Sequence, residues 1–147
     1  MVRPNLIEKL DGVLTHALTL VSAPAGSGKT TLVSDWVRSI HKRKEISIAW
    51  LSLDSSDNSV DSFLDYLTGC LEESGVSIEM LQEQTLENDQ TFFAKNITGI
   101  IHSIKNVQKE IILILDDYHQ IQNQDIHSII SNLLLYPSQF FHLVILT

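Results

Sequence analysis

The stretch from Leu18 to Ile40, LTLVSAPAGSGKTTLVSDWVRSI, constrains the fold more than any other part of the sequence. It opens with a short apolar run, which is typical of a buried strand. From Leu32 onward, apolar residues recur at the three- and four-residue spacing of one helix face. A glycine-rich loop ending in the letters GSGKT lies between the two. A strand, a glycine loop and a helix in this order favour a phosphate-binding loop.

The loop carries the groups that bind phosphate. The first backbone N–H groups of a helix lack partners and the helix dipole is positive there, so an anion is stabilised. Gly26 and Gly28 have no Cβ atom, so successive N–H groups can curve around phosphate oxygens. We therefore predict that Lys29 reaches the β- and γ-phosphates and that the Thr30 hydroxyl holds Mg²⁺. Ala23 replaces the first glycine of the pattern, which requires that its φ be negative.

A second apolar run, EIILIL at positions 110–115, ends in Asp116 and Asp117. Ligands of parallel sheets bind beyond the carboxyl ends of the strands. We therefore expect Asp116 to hold Mg²⁺ beside Thr30, and Asp117 to orient or deprotonate an attacking water. The alternative is that the letters DDYH form an ordinary polar turn after a core strand.

The rest of the sequence alternates between strand-like and helix-like segments. Strands are predicted at 18–21, 46–53, 110–115 and 140–146. Helices are predicted at 6–14, 30–40, 60–75, 93–104 and 126–134, and Pro137 is expected to stop the last of them. Residues 76–88 are predicted to form a loop or a weak helix. This alternation indicates an α/β fold, a three-layer parallel sheet with helices on both faces. Because the last apolar run reaches the chain end, we expect the 147 residues to be one domain cut from a longer protein.

Composition narrows the functional classes. A net charge of −8 argues against nucleic-acid binding by this segment, because contacts with phosphate groups dominate the affinity of proteins for nucleic acids. Cys70 is the only cysteine, which excludes an internal disulfide and fits a cytoplasmic protein. No apolar run approaches the roughly 20 residues that cross a bilayer. The six histidines are scattered without zinc-ligand spacing.

The order of the segments favours ATP over GTP. One strand, at 46–53, comes between the loop strand and the acidic strand along the chain. That order is typical of the P-loop ATPases with an additional catalytic acid, rather than of GTPases and small kinases. The NKxD sequence with which a GTPase recognises guanine is absent.

Three segments together resemble the ATPase module of the MalT-like transcription activators: LTLVSAPAGSGKTTLVSDWV, IAWLSLDSSDNSVDSFLDYL and ILILDDYHQIQNQDIHSII. These activators are large signal-transduction ATPases that often end in a LuxR-type DNA-binding domain. The resemblance extends from Arg3 to Leu146 and implies a P-loop fold truncated before its fifth strand. The first strand would then have an exposed apolar edge through which the fragment pairs.

The resemblance implies an ATP/ADP-governed switch in which nucleotide controls self-association, with DNA bound only by a domain beyond this chain. It assigns Asp116 to the metal and Lys29 and Asp117 to catalysis. The phosphates are assigned to the residues of the loop and the first helical turn, namely Ala25, Gly26, Ser27, Gly28, Lys29, Thr30 and Thr31. An arginine that senses the γ-phosphate would follow Thr147, so this segment alone is expected to be a nearly inactive ATPase.

Two other functions stay open at this point. A P-loop kinase of a small molecule would need an arginine-rich lid and an acceptor site, neither of which is evident in the sequence. A scaffold domain that keeps the fold without nucleotide is disfavoured by the presence of Lys29, Thr30, Asp116 and Asp117.

Overall fold

The computed structural model describes residues 4–42, 45–79, 89–135 and 138–147, with the backbone alone for 89–95. Four strands form one parallel sheet in the order β1-β4-β3-β2. The strands are β1 Leu18–Val21, β2 Ile46–Ser52, β3 Glu110–Asp116 and β4 Phe141–Leu146. The helices are α1 Pro4–Leu10, α2 Lys29–His41, α3 Val60–Glu73, α4 Asp89–Asn106 and α5 Gln124–Leu135.

Each face of the sheet is covered by helices, which confirms the predicted three-layer α/β architecture. Helices α1 and α2 pack on one face, where the fully buried Trp36 is the largest side chain. Helices α3, α4 and α5 pack on the other, around Phe63 and Leu67. Strands β3 and β4 are buried on both faces, as expected for the centre of a parallel sheet.

The local differences from the sequence-based predictions lie at the element ends. The predicted helix at 6–14 is instead the short α1 followed by a 3-10 helix at Asp11–Thr15. The buried Trp36 donates a hydrogen bond from Nε1 to Asp11 Oδ1 at 3.0 Å, which ties this 3-10 turn to α2. Residues 76–79 have no regular structure, and the rest of the predicted loop at 76–88, like the predicted stop at Pro137, lies outside the described residues.

The neighbours of the strands in the sheet differ from their order along the chain. Along the chain, β2 comes between β1 and β3. In the sheet it is an edge strand and its neighbour is β3. The strand that separates β1 from β3 in space is β4. Strand β1 is the opposite edge, and there Leu18 and Leu20 are 44% and 61% exposed. In the described part of the chain, none of the helices combines the length and apolar character needed to span a membrane.

Candidate nucleotide site

The glycine loop adopts the backbone conformation that its sequence predicts. It connects the end of β1 to the start of α2, and both Gly26 and Gly28 have positive φ, 75° and 86°. Any side chain would be strained at these two positions. Among the described residues that are not glycine, Asp117 alone has a positive φ, so Ala23 satisfies the condition set for replacing a glycine.

The amino end of α2 is open for an anion. No side chain of the described residues caps it, so its first N–H groups are available to an external acceptor. Ala25, Gly26 and Thr31 are exposed around it. The Ser27 hydroxyl oxygen is buried and has no hydrogen-bond partner in the part of the chain that the structure describes. Buried hydroxyls are nearly always paired, so this one is a candidate contact for a bound group.

Lys29 lies against the loop that it is predicted to serve. Its ammonium donates to the main-chain oxygens of Ala23, at 2.6 Å, and Pro24, at 3.1 Å. The positive charge is therefore held against the main chain of the loop. A cation at this place, together with the dipole of α2, favours a negatively charged ligand.

The structure brings Thr30 and Asp116 together across the sheet. The Thr30 hydroxyl donates to the Asp116 carboxylate, with Oγ1 at 3.2 Å from Oδ1 and 3.0 Å from Oδ2. The two residues are 86 positions apart, and Asp116 is only 4% exposed. The start of the glycine loop is fixed to the end of β4. The Ala23 N–H donates to Thr147 O, and the Thr147 N–H donates to Val21 O.

Asp117 occupies a different environment from its neighbour. Its side chain is exposed, and its backbone is left-handed, with φ 56° and ψ 38°. It begins a turn in which Tyr118–Gln120 form a short 3-10 helix, closed by the Gln120 N–H on Asp117 O at 3.0 Å. The Tyr118 hydroxyl lies 2.6 Å from His127 Nδ1 of α5, and partial burial raises the pKa of this phenol. The tyrosine therefore stays neutral and connects the turn to α5.

Sequence reasoning missed Asn58, which contacts this turn from the loop after β2. In this loop Asp54 caps a 3-10 helix at Ser55–Asn58, and Ser59 caps α3. Hydrogen bonds from the Ser56 hydroxyl and backbone lower the pKa of Asp54. The cue in the sequence was the run DSSDN, whose first and fourth residues form a capping box.

Metal ligation at the site would come from few protein groups. No cluster of three or more histidine, cysteine, aspartate or glutamate side chains occurs within the described ranges. Mg²⁺ seldom needs one, since it is usually held by one or two carboxylates together with phosphates and water.

No protein-family model matches the chain. Among curated proteins, the HTH-type transcriptional regulator MalT from two strains of Klebsiella pneumoniae is 30% identical to it over 152 aligned residues. The alignment covers 100% of this chain. The MalT-like resemblance is confirmed. The chain spans only 16% of the length of these MalT regulators, so the alignment does not include the other parts of MalT.

Proposed function

We propose that this chain is the ATP-binding, slowly hydrolysing switch domain of an ATP-dependent transcription regulator. One observation carries the proposal: the Thr30 hydroxyl lies 3.0 Å from Asp116, which joins the helix after the glycine loop to the acidic strand. This pairing is what a phosphate loop and a magnesium-binding strand require of each other. The similarity to the MalT regulators supports the regulatory part of the proposal.

The site residues fit a nucleotide with Mg²⁺. The open amino end of α2 supplies donors for phosphate oxygens, as does the Ser27 hydroxyl, which has no partner among the described residues. The Thr30 hydroxyl hydrogen is directed at Asp116, which leaves the lone pairs of its oxygen available to a cation. When bound, Mg²⁺ neutralises charge on the β- and γ-phosphates.

Different residues are assigned to nucleotide binding and to hydrolysis. Lys29 binds the terminal phosphates, and Ala25, Gly26, Gly28 and Thr31 surround them with backbone N–H groups. Asp117, exposed beside the buried Asp116, orients the attacking water and accepts its proton.

The wider roles belong to the complete protein. Nucleotide state controls its self-association and activation, and DNA is bound by a domain outside these 147 residues. The proposal includes a cytoplasmic location, since the relatives are bacterial regulators of transcription. Nucleotide carried through purification, measured after heat denaturation, is a first indication of occupancy.

The decisive experiment is calorimetric titration of ATP into the complete protein, with and without Mg²⁺. We expect Mg²⁺ to strengthen binding by wild type and to have little effect on Thr30→Val, which keeps the shape of the side chain but loses the hydroxyl. Thr68→Val, on α3, is the matched control and should behave as wild type. Failure of wild type to bind ATP would refute the proposed function, and an undiminished Mg²⁺ effect in Thr30→Val would refute the role of Thr30.

A further inference from the structure

We propose that Asn58 is a positioning residue that holds the turn carrying Asp117, and thereby sets the rate of ATP hydrolysis rather than the affinity for ATP. This inference rests on the proposed ATPase function. It concerns the loop after β2, which contains neither the phosphate-binding residues nor the acidic pair.

The sheet places this loop beside the acidic turn. Strands β2 and β3 are parallel neighbours, and Ser52 is paired with Asp116 at their carboxyl ends. The Leu53 N–H then donates to Asp116 O at 3.0 Å, which extends the contact by one residue. The segments that follow the two strands therefore leave the sheet side by side.

Asn58 uses both ends of its side-chain amide to join the two segments. Its Nδ2 donates to Gln120 O at 2.8 Å, and its Oδ1 accepts from the Gln122 N–H at 2.6 Å. Its main-chain oxygen accepts a third bond, from Asn123 Nδ2 at 2.8 Å. An ionised aspartate at this position could accept but not donate, and alanine could do neither, so neither residue can make both side-chain bonds.

Asn58 is itself held by the short 3-10 helix that it ends. Asp54 Oδ1 accepts from the Ser56 N–H at 2.7 Å, and Asp57 Oδ2 accepts from the Asp54 N–H at 2.9 Å. The Asn58 Nδ2 group also donates within this helix, to Ser55 O at 3.2 Å. The amide is thus presented from a closed turn rather than from a loose loop.

The link from Asn58 to Asp117 is only two hydrogen bonds long. Gln120 accepts from Asn58 through its oxygen and donates through its N–H to Asp117 O. The left-handed backbone of Asp117 is sparsely populated by residues other than glycine, so the surrounding contacts must maintain it. Loss of the Asn58 amide would leave the Gln120 oxygen and the Gln122 N–H without this partner and free the turn to relax.

Asp116 does not depend on this link. It lies within β3, is paired in register with β2, and bonds to Thr30. Removing the Asn58 side chain should therefore disturb Asp117 and spare the residues that bind nucleotide. A displacement of about 1 Å in a positioned group costs roughly 100-fold in rate.

The test compares Asn58→Ala and Asn58→Asp with the control Asn106→Ala in the complete protein. Asn106 is exposed near the end of α4, which leads into the opposite end of β3. We expect single-turnover hydrolysis to fall about 10- to 100-fold in both Asn58 variants, with the Kd for ATP changed less than about threefold. In an Asp117→Asn background, Asn58→Ala should slow hydrolysis no further, because both changes remove the same function.

A second readout needs no nucleotide. The Gln122 amide, which donates to Asn58 Oδ1, should exchange its hydrogen at least about tenfold faster in Asn58→Ala, whereas the amides of Leu113 and Leu115 in β3 should not change. Unaltered exchange at Gln122 would overturn the proposed link. Unaltered hydrolysis in Asn58→Ala, by a protein whose wild type hydrolyses ATP, would overturn the positioning role alone, whereas a wild type that binds no ATP would refute the proposed function itself.

Discussion

Replacing Lys29 by alanine tests whether a local cation, rather than the overall charge of the molecule, binds the nucleotide. The Lys29 ammonium is held at the loop by the Ala23 and Pro24 oxygens, at 2.6 and 3.1 Å. A hydrogen bond to a charged group contributes about 1.5–3 kcal/mol, so two phosphate contacts contribute about 3–6 kcal/mol. At about 1.4 kcal/mol per tenfold change, the Kd for ATP should rise at least about 100-fold.

Lys42→Ala is the matched control, because it removes the same charge at the other end of the same helix. Helix α2 has 13 residues, so at about 1.5 Å per residue the two positions are roughly 20 Å apart. In water, a unit charge and an ATP charge of about −4 interact by about 0.8 kcal/mol at that distance. A Debye length of about 8 Å reduces this below about 0.1 kcal/mol. Lys42→Ala should therefore change the affinity less than about 1.5-fold.

The assay is isothermal titration of ATP in Mg²⁺ buffer, with circular dichroism to confirm that each variant is folded. Equal weakening by Lys29→Ala and Lys42→Ala would show that long-range charge, not the loop, governs binding. Unchanged affinity in Lys29→Ala would refute the phosphate-loop assignment, since the local contacts would then contribute nothing.

Three further outcomes are expected. Asp117→Asn should leave the Kd for ATP unchanged and slow hydrolysis by about 100-fold or more, because a general base is lost. Equal turnover by Asp117→Asn and wild type would refute the catalytic role of Asp117. The 147-residue chain should self-associate through β1, where Leu20 is 61% exposed, and Leu20→Lys should reduce this in sedimentation; a monomeric wild type at high concentration would contradict it. Phe63→Ala should lower the free energy of unfolding in denaturant by about 3–5 kcal/mol, because this side chain is fully buried; a loss below about 1 kcal/mol would mean that the α3 contact with the sheet is misjudged.

The strands and the main helices could be predicted because the hydrophobic pattern reports which faces are buried. Val33, Trp36 and Ile40 are all buried on α2 at the predicted helical spacing. The approach of Thr30 to Asp116 was also predictable, since the loop after one parallel strand and the end of another meet at the same edge of the sheet. The roles of the site residues in binding and hydrolysis stay predictions.

The order of strands in the sheet and the contacts between loops were not accessible from the pattern. An apolar run shows that a strand is buried but not which strands are its neighbours, so the pattern did not predict the position of β4 between β1 and β3. Asn58 and Gln120 are 62 positions apart, and their bond depends on two loops whose adjacency is set by the β2–β3 register. The positive φ of Asp117 was not predictable either, because aspartate adopts this conformation only occasionally.

The two adjacent acids are held by different means, and this has a consequence for a nucleotide switch. Asp116 is buried in a central strand and would move only if the sheet itself moved. Asp117 lies in an exposed turn that a few hydrogen bonds from Asn58 and Tyr118 stabilise. Small changes in the contacts to that turn can therefore move Asp117, the proposed hydrolytic residue, while Lys29, Thr30 and Asp116 keep their places. In the proposed switch, this arrangement would let ATP be held firmly while contacts from the loop after β2 adjust the lifetime of the bound triphosphate.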